Sequence, residues 1–287
     1  MNSVLEKFKI FAYCYSPNRI MSRLGAPRVF ANSVPKSGTN LLAKCLFLFP
    51  YLRPSGPLHR LRIAGRHVHM NYNRNGDSDD FRQKLDKTKA GQYMTGHVFY
   101  TEENSNILEQ ESIRSLLIIR DPRDVAVSHY HWVTEKNTSH RLHDYYVNLP
   151  DDDARLMASI KGVSGKHADD GNRFEGVLEW MDSFYKWNAE NYNLTVKFEN
   201  LIGPNGGGDK QSQKETIQRI SGHIGKPISE KHVDYIANNL FDTESSTFRK
   251  GLIGDWENEF NERHKEAFKQ KSGNMLTELG YVQDSSW

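Results

Sequence analysis

NSVPKSGTNLLAKCLFLFP (32–50) sets a lysine, a serine, a glycine and a threonine between two apolar runs. The segment RVFANSV (28–34) reads as a short strand, and Pro35 and Gly38 punctuate the turn after it. From Thr39 to about Phe49 the apolar residues recur at helical spacing, until Pro50 and RPSGP (53–57) end the helix. A turn from strand into helix exposes backbone N–H groups with no intrahelical acceptor, and the helix dipole favours an anion there. Lys36 supplies a mobile cation, Ser37 and Thr39 supply hydroxyl donors, and Gly38 lets the backbone approach closely. What these residues can share is a phosphate.

The turn is not a Walker-type P-loop, in which glycine precedes the lysine and serine or threonine follows it. Here Lys36 comes before Gly38. The next clear signal is SIRSLLIIRDPRDVAVSHYHWV (112–133), whose run Leu116–Ile119 has the composition of a buried strand. Asp121 is placed to cap the following helix, with Pro122 at its first position and Asp124 as the acid that reaches back. The strand ends on Arg120, where a magnesium-dependent nucleotide enzyme would carry an acid. An arginine there offers planar donors to a second phosphate, and Ser128 lies further along the same helix. Read without a ligand, Asp121, Arg123 and Asp124 can also satisfy one another as a salt-bridged cap.

Strands separated by helices continue down the chain and indicate one α/β domain over 1–287 with a mostly parallel sheet. GQYMTGHVFY (91–100) reads as a strand followed by a ligand-facing loop, FEGVLEWMDSFYKWNAEN (174–191) as an amphipathic helix, and YNLTVKFENL (192–201) as a strand. Helices are expected around 215–225, 230–240 and 261–279. Stretches near 58–93, 137–172 and 202–215 are polar, and we expect them to form mobile loops, with short helices in the first.

Three segments together resemble the cytosolic-type sulfotransferase family, which uses 3′-phosphoadenosine 5′-phosphosulfate as donor. PKSGTN is similar to that family's 5′-phosphosulfate turn, and RDPRDVAVS to its 3′-phosphate segment, with Arg120 and Ser128 eight residues apart as the family requires. FRKGLIGDW (248–256) is similar to its late segment, whose Arg249, Lys250 and Gly251 are expected to close over the 3′-phosphate. The resemblance implies a P-loop NTPase-like three-layer fold. It implies donor contacts at Lys36, Ser37, Gly38, Thr39, Asn40 and Leu41, and adenine contacts at Phe198 and Phe241. The chain departs from the family at Leu41, where a tryptophan is frequent, and at Phe198, where a tyrosine is frequent.

The resemblance also implies in-line transfer of a sulfuryl group to a hydroxyl or amine of a small organic acceptor. His97 would act as base and Lys36 would stabilise the leaving phosphate, with adenosine 3′,5′-bisphosphate as product and no metal required. An imidazole has a reference pKa near 6.5, so its neutral form is available near neutrality. Many members carry a lysine two residues before this histidine, whereas this chain has Thr95. Family members often use a short motif after GDW as a dimer contact. Asn261 and Glu262 stand there instead, so a monomer or a different dimer is expected.

The 287 residues carry a net charge of +2, with 37% hydrophobic and 26% charged residues, a globular composition that names no polyanionic partner. HRLRIAGRHVH (59–69) is basic but lacks interleaved aromatics, so no nucleic acid is expected, although His67 or His69 can line an acceptor pocket. The HVH and HYH pairs (67–69 and 129–131) lack further ligands at a metal spacing. Cys14 and Cys45 read as free thiols of a reducing compartment, and with no signal or membrane span evident the cytoplasm is expected. A nucleotide-dependent kinase and a non-catalytic nucleotide- or polyanion-binding module remain the alternatives. The acceptor's identity is open.

Overall fold

Five consecutive buried residues, Val29–Ser33, form β1, the strand that the rest of the sheet is built around. The computed structural model describes residues 24–55, 78–164, 174–241, 249–284 and 286–287, with the backbone of 69–70. After β1 come α1 (Thr39–Leu48), β2 (Arg53–Pro54), β3 (His69–Met70), α2 (Ser78–Asp86), β4 (Gln92–Gly96), α3 (Glu102–Gln110) and β5 (Arg114–Ile119). Next are α4 (Pro122–His131), which continues as a π-helical turn over Trp132–Lys136, then α5 (His143–Val147), α6 (Asp152–Lys161) and α7 (Val177–Tyr185). β6 (Asn193–Lys197), α8 (Phe198–Ile202), α9 (Lys210–His223) and α10 (Glu230–Asn239) follow, and α11 (Trp256–Glu259), α12 (Glu262–Ser272) and α13 (Met275–Glu278) close the chain.

The strands run in the order β2-β4-β1-β5-β6, with β3 also pairing β4, and every pairing among these strands is parallel. Parallel strands need helical crossovers, which cover both faces and allow the near-continuous apolar runs seen in β1 and β5. Alternation along β1 sorts the layers. Val29 and Ala31 join Leu116 and Ile118 in a core with Leu42 and Leu46 of α1, Ile217 and Ile220 of α9, and Val233 and Ile236 of α10. Phe30 points the other way, onto Phe81 of α2 at 5.2 Å between ring centroids. Helix, sheet and helix make the three layers that the resemblance implied.

The chain divides into two compact units, Met1–Ile119 with Phe184–Ser245, and Arg120–Ser183 with Ser246–Trp287. The first holds the sheet. In the second, α6 packs on α4 and α12, and Phe268 meets Phe260 and Trp287 at 5.7 and 5.9 Å. Asn261 caps α12 and bonds Asp153, which gives the segment where the dimer motif would stand an intramolecular task. Among the described residues, no helix is long and apolar enough to cross a membrane.

The polar stretches hold more structure than their composition promised. Within 137–172 lie α5 and α6, the latter capped by Asp151 and anchored by buried Leu156 and Ile160. Within 202–215, Gly203 and Gly207 take positive φ to make a tight turn, and Asp209 then caps α9 five residues earlier than expected. Of 58–93, residues 78–86 are helical and 92–93 belong to β4, whereas His67 and the side chain of His69 lie outside the described residues. The final helix breaks at Gly273, which takes positive φ.

Candidate donor site and proton acceptor

The lysine turn sits in the first unit. Lys36 has φ 69° and Gly38 φ 104°, so two left-handed residues bracket Ser37. For lysine this is an uncommon backbone, the kind of strain that marks functional turns. Gly38 is required twice over: a Cβ there would lie 2.7 Å from the Phe198 ring and 3.3 Å from Ile118. Helix α1 begins directly afterwards, with no acidic residue in its first turn and no side-chain cap. Ser37 is fully buried, and its Oγ has no hydrogen-bond partner. A buried hydroxyl without an acceptor costs about 1–3 kcal/mol. An uncapped helix start beside an unsatisfied hydroxyl and a cation has the donor set a phosphate needs, so these residues fit the group.

His97 follows β4, and its Nδ1–H donates to the Ser33 carbonyl oxygen at 2.8 Å. A carbonyl can only accept, so the neutral ring carries its proton on Nδ1 and keeps a lone pair on Nε2. The loop is fastened around it. Asn32 accepts from the Val98 N–H at 2.9 Å and donates to the Val98 carbonyl at 2.8 Å, and Trp187 Nε1–H donates to the same carbonyl at 2.9 Å. Ser33 Oγ lies 2.7 Å from Thr39 Oγ1 and 3.1 Å from His97 Nδ1. Thr95 is buried in β4 opposite Ala31 and brings no charge to this loop. Phe198 opens α8 with its ring under Gly38 and only 5% exposed, and Phe241 follows α10, half-buried.

The second unit holds the arginine segment. Arg120 is buried, its Nη2–H donating to the Leu252 carbonyl at 2.7 Å and lying 3.3 Å from Asp124. Asp121 caps α4 by accepting from the Arg123 N–H, and the Arg123 guanidinium grips both Asp121 oxygens. That guanidinium also stacks 3.9 Å from the Trp256 ring centroid and 4.5 Å from that of Trp287. Contrary to the expectation from the sequence, Asp124 does not reach back to the cap. Its carboxylate accepts from the N–H groups of Gly254 and Trp256 at 2.9 and 3.0 Å, because the GDW loop brings it two donors that the helix start cannot offer. Burial pushes the Asp124 carboxyl above its ordinary value, against the pull of Arg120.

Arg249 and Lys250 both bind Asp255, the lysine at 2.8 Å, and both approach Glu259, at 3.9 and 3.8 Å. Burial works against the charged form of Asp255, yet the hydrogen bonds from Lys250 and Arg249 hold its carboxyl below the ordinary value. Gly251 takes φ 65°. Ser128, half-buried, lies one helical step beyond Asp124 on the same face of α4. Sequence reasoning missed Ser33, Asn32 and Glu259, and gave Asp255 no role. Asp255 and Ser33 stood in plain view inside quoted motifs.

Lys36 to Leu41 and His97 thus lie in one unit, and Arg120, Ser128 and Arg249 to Gly251 in the other. The profile of the sulfotransferase domain matches residues 26–280. The chain belongs to the sulfotransferase family. It is 24% identical over 170 residues to the 3-beta-hydroxysteroid sulfotransferase of Cavia porcellus, covering 52% of this chain and about half, 51%, of that enzyme. It is 20% identical over 272 residues to sulfotransferase 1A1 of Mus musculus, covering 87% of this chain and 84% of the other. Among solved structures, mouse sulfotransferase SULT7A1 complexed with PAP has a TM-score of 0.56 at 19% identity, covering 93% and 92% of the two chains. Retinol dehydratase in complex with androsterone and inactive cofactor PAP has a TM-score of 0.55 at 16% identity, covering 90% and 85%. At these identities the structural likeness establishes the sulfotransferase fold.

Proposed function

We propose that this sulfotransferase-family chain moves a sulfuryl group from 3′-phosphoadenosine 5′-phosphosulfate to a hydroxyl or amine of a small organic acceptor. One observation carries the reading: the buried, unsatisfied Ser37 hydroxyl beside Lys36 at the uncapped start of α1. Bound there, the donor supplies an electrophilic sulfuryl group whose transfer leaves a phosphate anion behind. Lys36, Ser37 and Thr39, with the first N–H groups of α1, hold the negative charge at that end and stabilise it as it grows. The 3′-phosphate falls to Arg120, Ser128, Arg249, Lys250 and Gly251, and Phe198 and Phe241 border the base.

His97 takes the acceptor's proton on Nε2. Its tautomer supports this role, since Nδ1 spends its proton on Ser33 and leaves Nε2 to accept. Thr95 supplies no second cation, so charge stabilisation falls to Lys36 and the helix start. The names of some relatives point to steroid acceptors, and the reading for this chain is a small organic hydroxyl or amine compound. A cytoplasmic enzyme, monomeric or paired by another surface, completes the reading. His97→Ala is expected to lower kcat by about 10²–10⁴-fold, the range of a lost general base, with adenosine 3′,5′-bisphosphate affinity by calorimetry kept within about twofold. Affinity lost along with turnover would make His97 structural instead.

A further inference from the structure

We propose that Ser33 is a positioning residue that couples donor binding to the proton acceptor, joining Thr39 to His97 through one hydroxyl. The inference deepens the reading above and rests on it. Ser33 is fully buried at the end of β1, and among the described residues its Oγ has three polar neighbours: Thr39 Oγ1 at 2.7 Å, His97 Nδ1 at 3.1 Å and the Gly96 carbonyl at 3.2 Å. A hydroxyl has one proton and two lone pairs, so only one of these can accept from it at a time. His97 Nδ1–H already donates to the Ser33 carbonyl and can share its proton only with a lone pair of Oγ. With Thr39 donating to Ser33, the Ser33 proton goes to Gly96.

A phosphate oxygen only accepts. When an anion takes the Thr39 proton, that proton leaves Ser33, and the Ser33 proton turns from Gly96 to Thr39 Oγ1. Every donor then points the same way, from His97 Nδ1–H through Ser33 and Thr39 to the anion. Hydrogen bonds aligned head to tail strengthen one another, by roughly 10–30% per bond. A better acceptor at Ser33 Oγ draws the Nδ1 proton outward and leaves more electron density on the ring, which makes Nε2 a better proton acceptor, so the base is strengthened when the donor is in place. Heavy atoms need not move for this. Asn32 also accepts from the Ser33 N–H at 3.1 Å while it clamps Val98, so the strand end and the histidine loop share one anchor.

The test is nitrogen-15 NMR of histidine-labelled protein, with His97 assigned by loss of its signal in His97→Gln. Adenosine 3′,5′-bisphosphate is expected to move the His97 Nδ1–H resonance downfield. Ser33→Ala should bind the nucleotide yet lose that response, Thr39→Val should bind it more weakly and show no response even at saturation, and Ser33→Thr should keep it. In turnover, Ser33→Ala is expected to lower kcat about tenfold with donor KM unchanged within about twofold, and Ser33→Thr to recover most of the loss, as a polarised relay requires. No nucleotide binding by calorimetry overturns both readings. Binding with full turnover in His97→Ala overturns the base assignment. Binding with an unmoved ring signal in the unmodified protein, or an equal shift in Ser33→Ala, overturns the Ser33 link alone.

Discussion

The two segments proposed to bind the donor's phosphates reach opposite electrostatic solutions. Around the lysine turn, the helix start carries no acid and no cap, and a buried hydroxyl waits for an acceptor. Around the arginine segment, Arg120 lies against Asp124, and Arg249 and Lys250 answer to Asp255 and Glu259. On the proposed reading, the first segment gains bonds when an anion arrives. On the same proposal the second exchanges a carboxylate for a phosphate, so its internal acids compete with the ligand for its cations. A ligand-holding fold can thus store readiness as unmet hydrogen bonds or as counter-charge, and this chain carries both arrangements.

Gly38→Ala is the strongest way to break the contrast, because it strikes the turn through its backbone rather than its charge. A left-handed φ of 104° and a 2.7 Å approach to Phe198 together should cost about 3 kcal/mol of stability, read as a lower urea midpoint. A midpoint unchanged from the parent protein would mean the turn is not rigidly held. Arg120→Ala comes next. It should weaken adenosine 3′,5′-bisphosphate by about 2 kcal/mol, some thirtyfold, the scale of a charged hydrogen bond. Undiminished binding would remove this arginine from the site.

Glu259→Gln sharpens the comparison in the other direction. Removing a partly exposed counter-charge from Arg249 and Lys250 should tighten the nucleotide about threefold, a figure discounted for solvent screening. Weaker binding would show Glu259 to be an organiser of that loop rather than a competitor within it. The smallest effect concerns His140 in the second unit, whose pKa burial lowers from 6.5 to about 4. The unfolded chain takes up that proton first, so its stabilising contribution is complete above pH 6.5 and is lost as pH falls toward 4. The ring is only half-buried, and His140→Gln should flatten the decline of melting temperature over that window by no more than about 0.5 kcal/mol in stability. An identical decline in both proteins would assign the acid sensitivity elsewhere.

Local chemistry was legible in the sequence, and distant pairing was not. PKSGT announced its turn because Pro35, Gly38 and the helical spacing after Thr39 all lie within a dozen residues. Asp121 was readable as a cap for the same reason, needing only Pro122 and Arg123 beside it. Asp124 was misread because its partners, Gly254 and Trp256, are 130 and 132 residues away. The relay through Ser33 was hidden in the same manner, His97 lying 64 residues downstream. The polar stretch over 137–172 suggested loops because α6 buries only a narrow stripe, while its Asp151 cap resembles the aspartates beside it. In 202–215 the glycines drew the eye away from Asp209, the residue that starts α9.

The packing of the Arg123 guanidinium against both Trp256 and Trp287 has an optical consequence. A guanidinium face against an indole alters its emission, and Trp256 directly follows Asp255, the carboxylate shared by Arg249 and Lys250. If a nucleotide draws those two cations away, as proposed, the indole nearest the exchange changes its surroundings. The protein's own fluorescence, with no dye attached, is then the natural reporter of occupancy at its arginine segment.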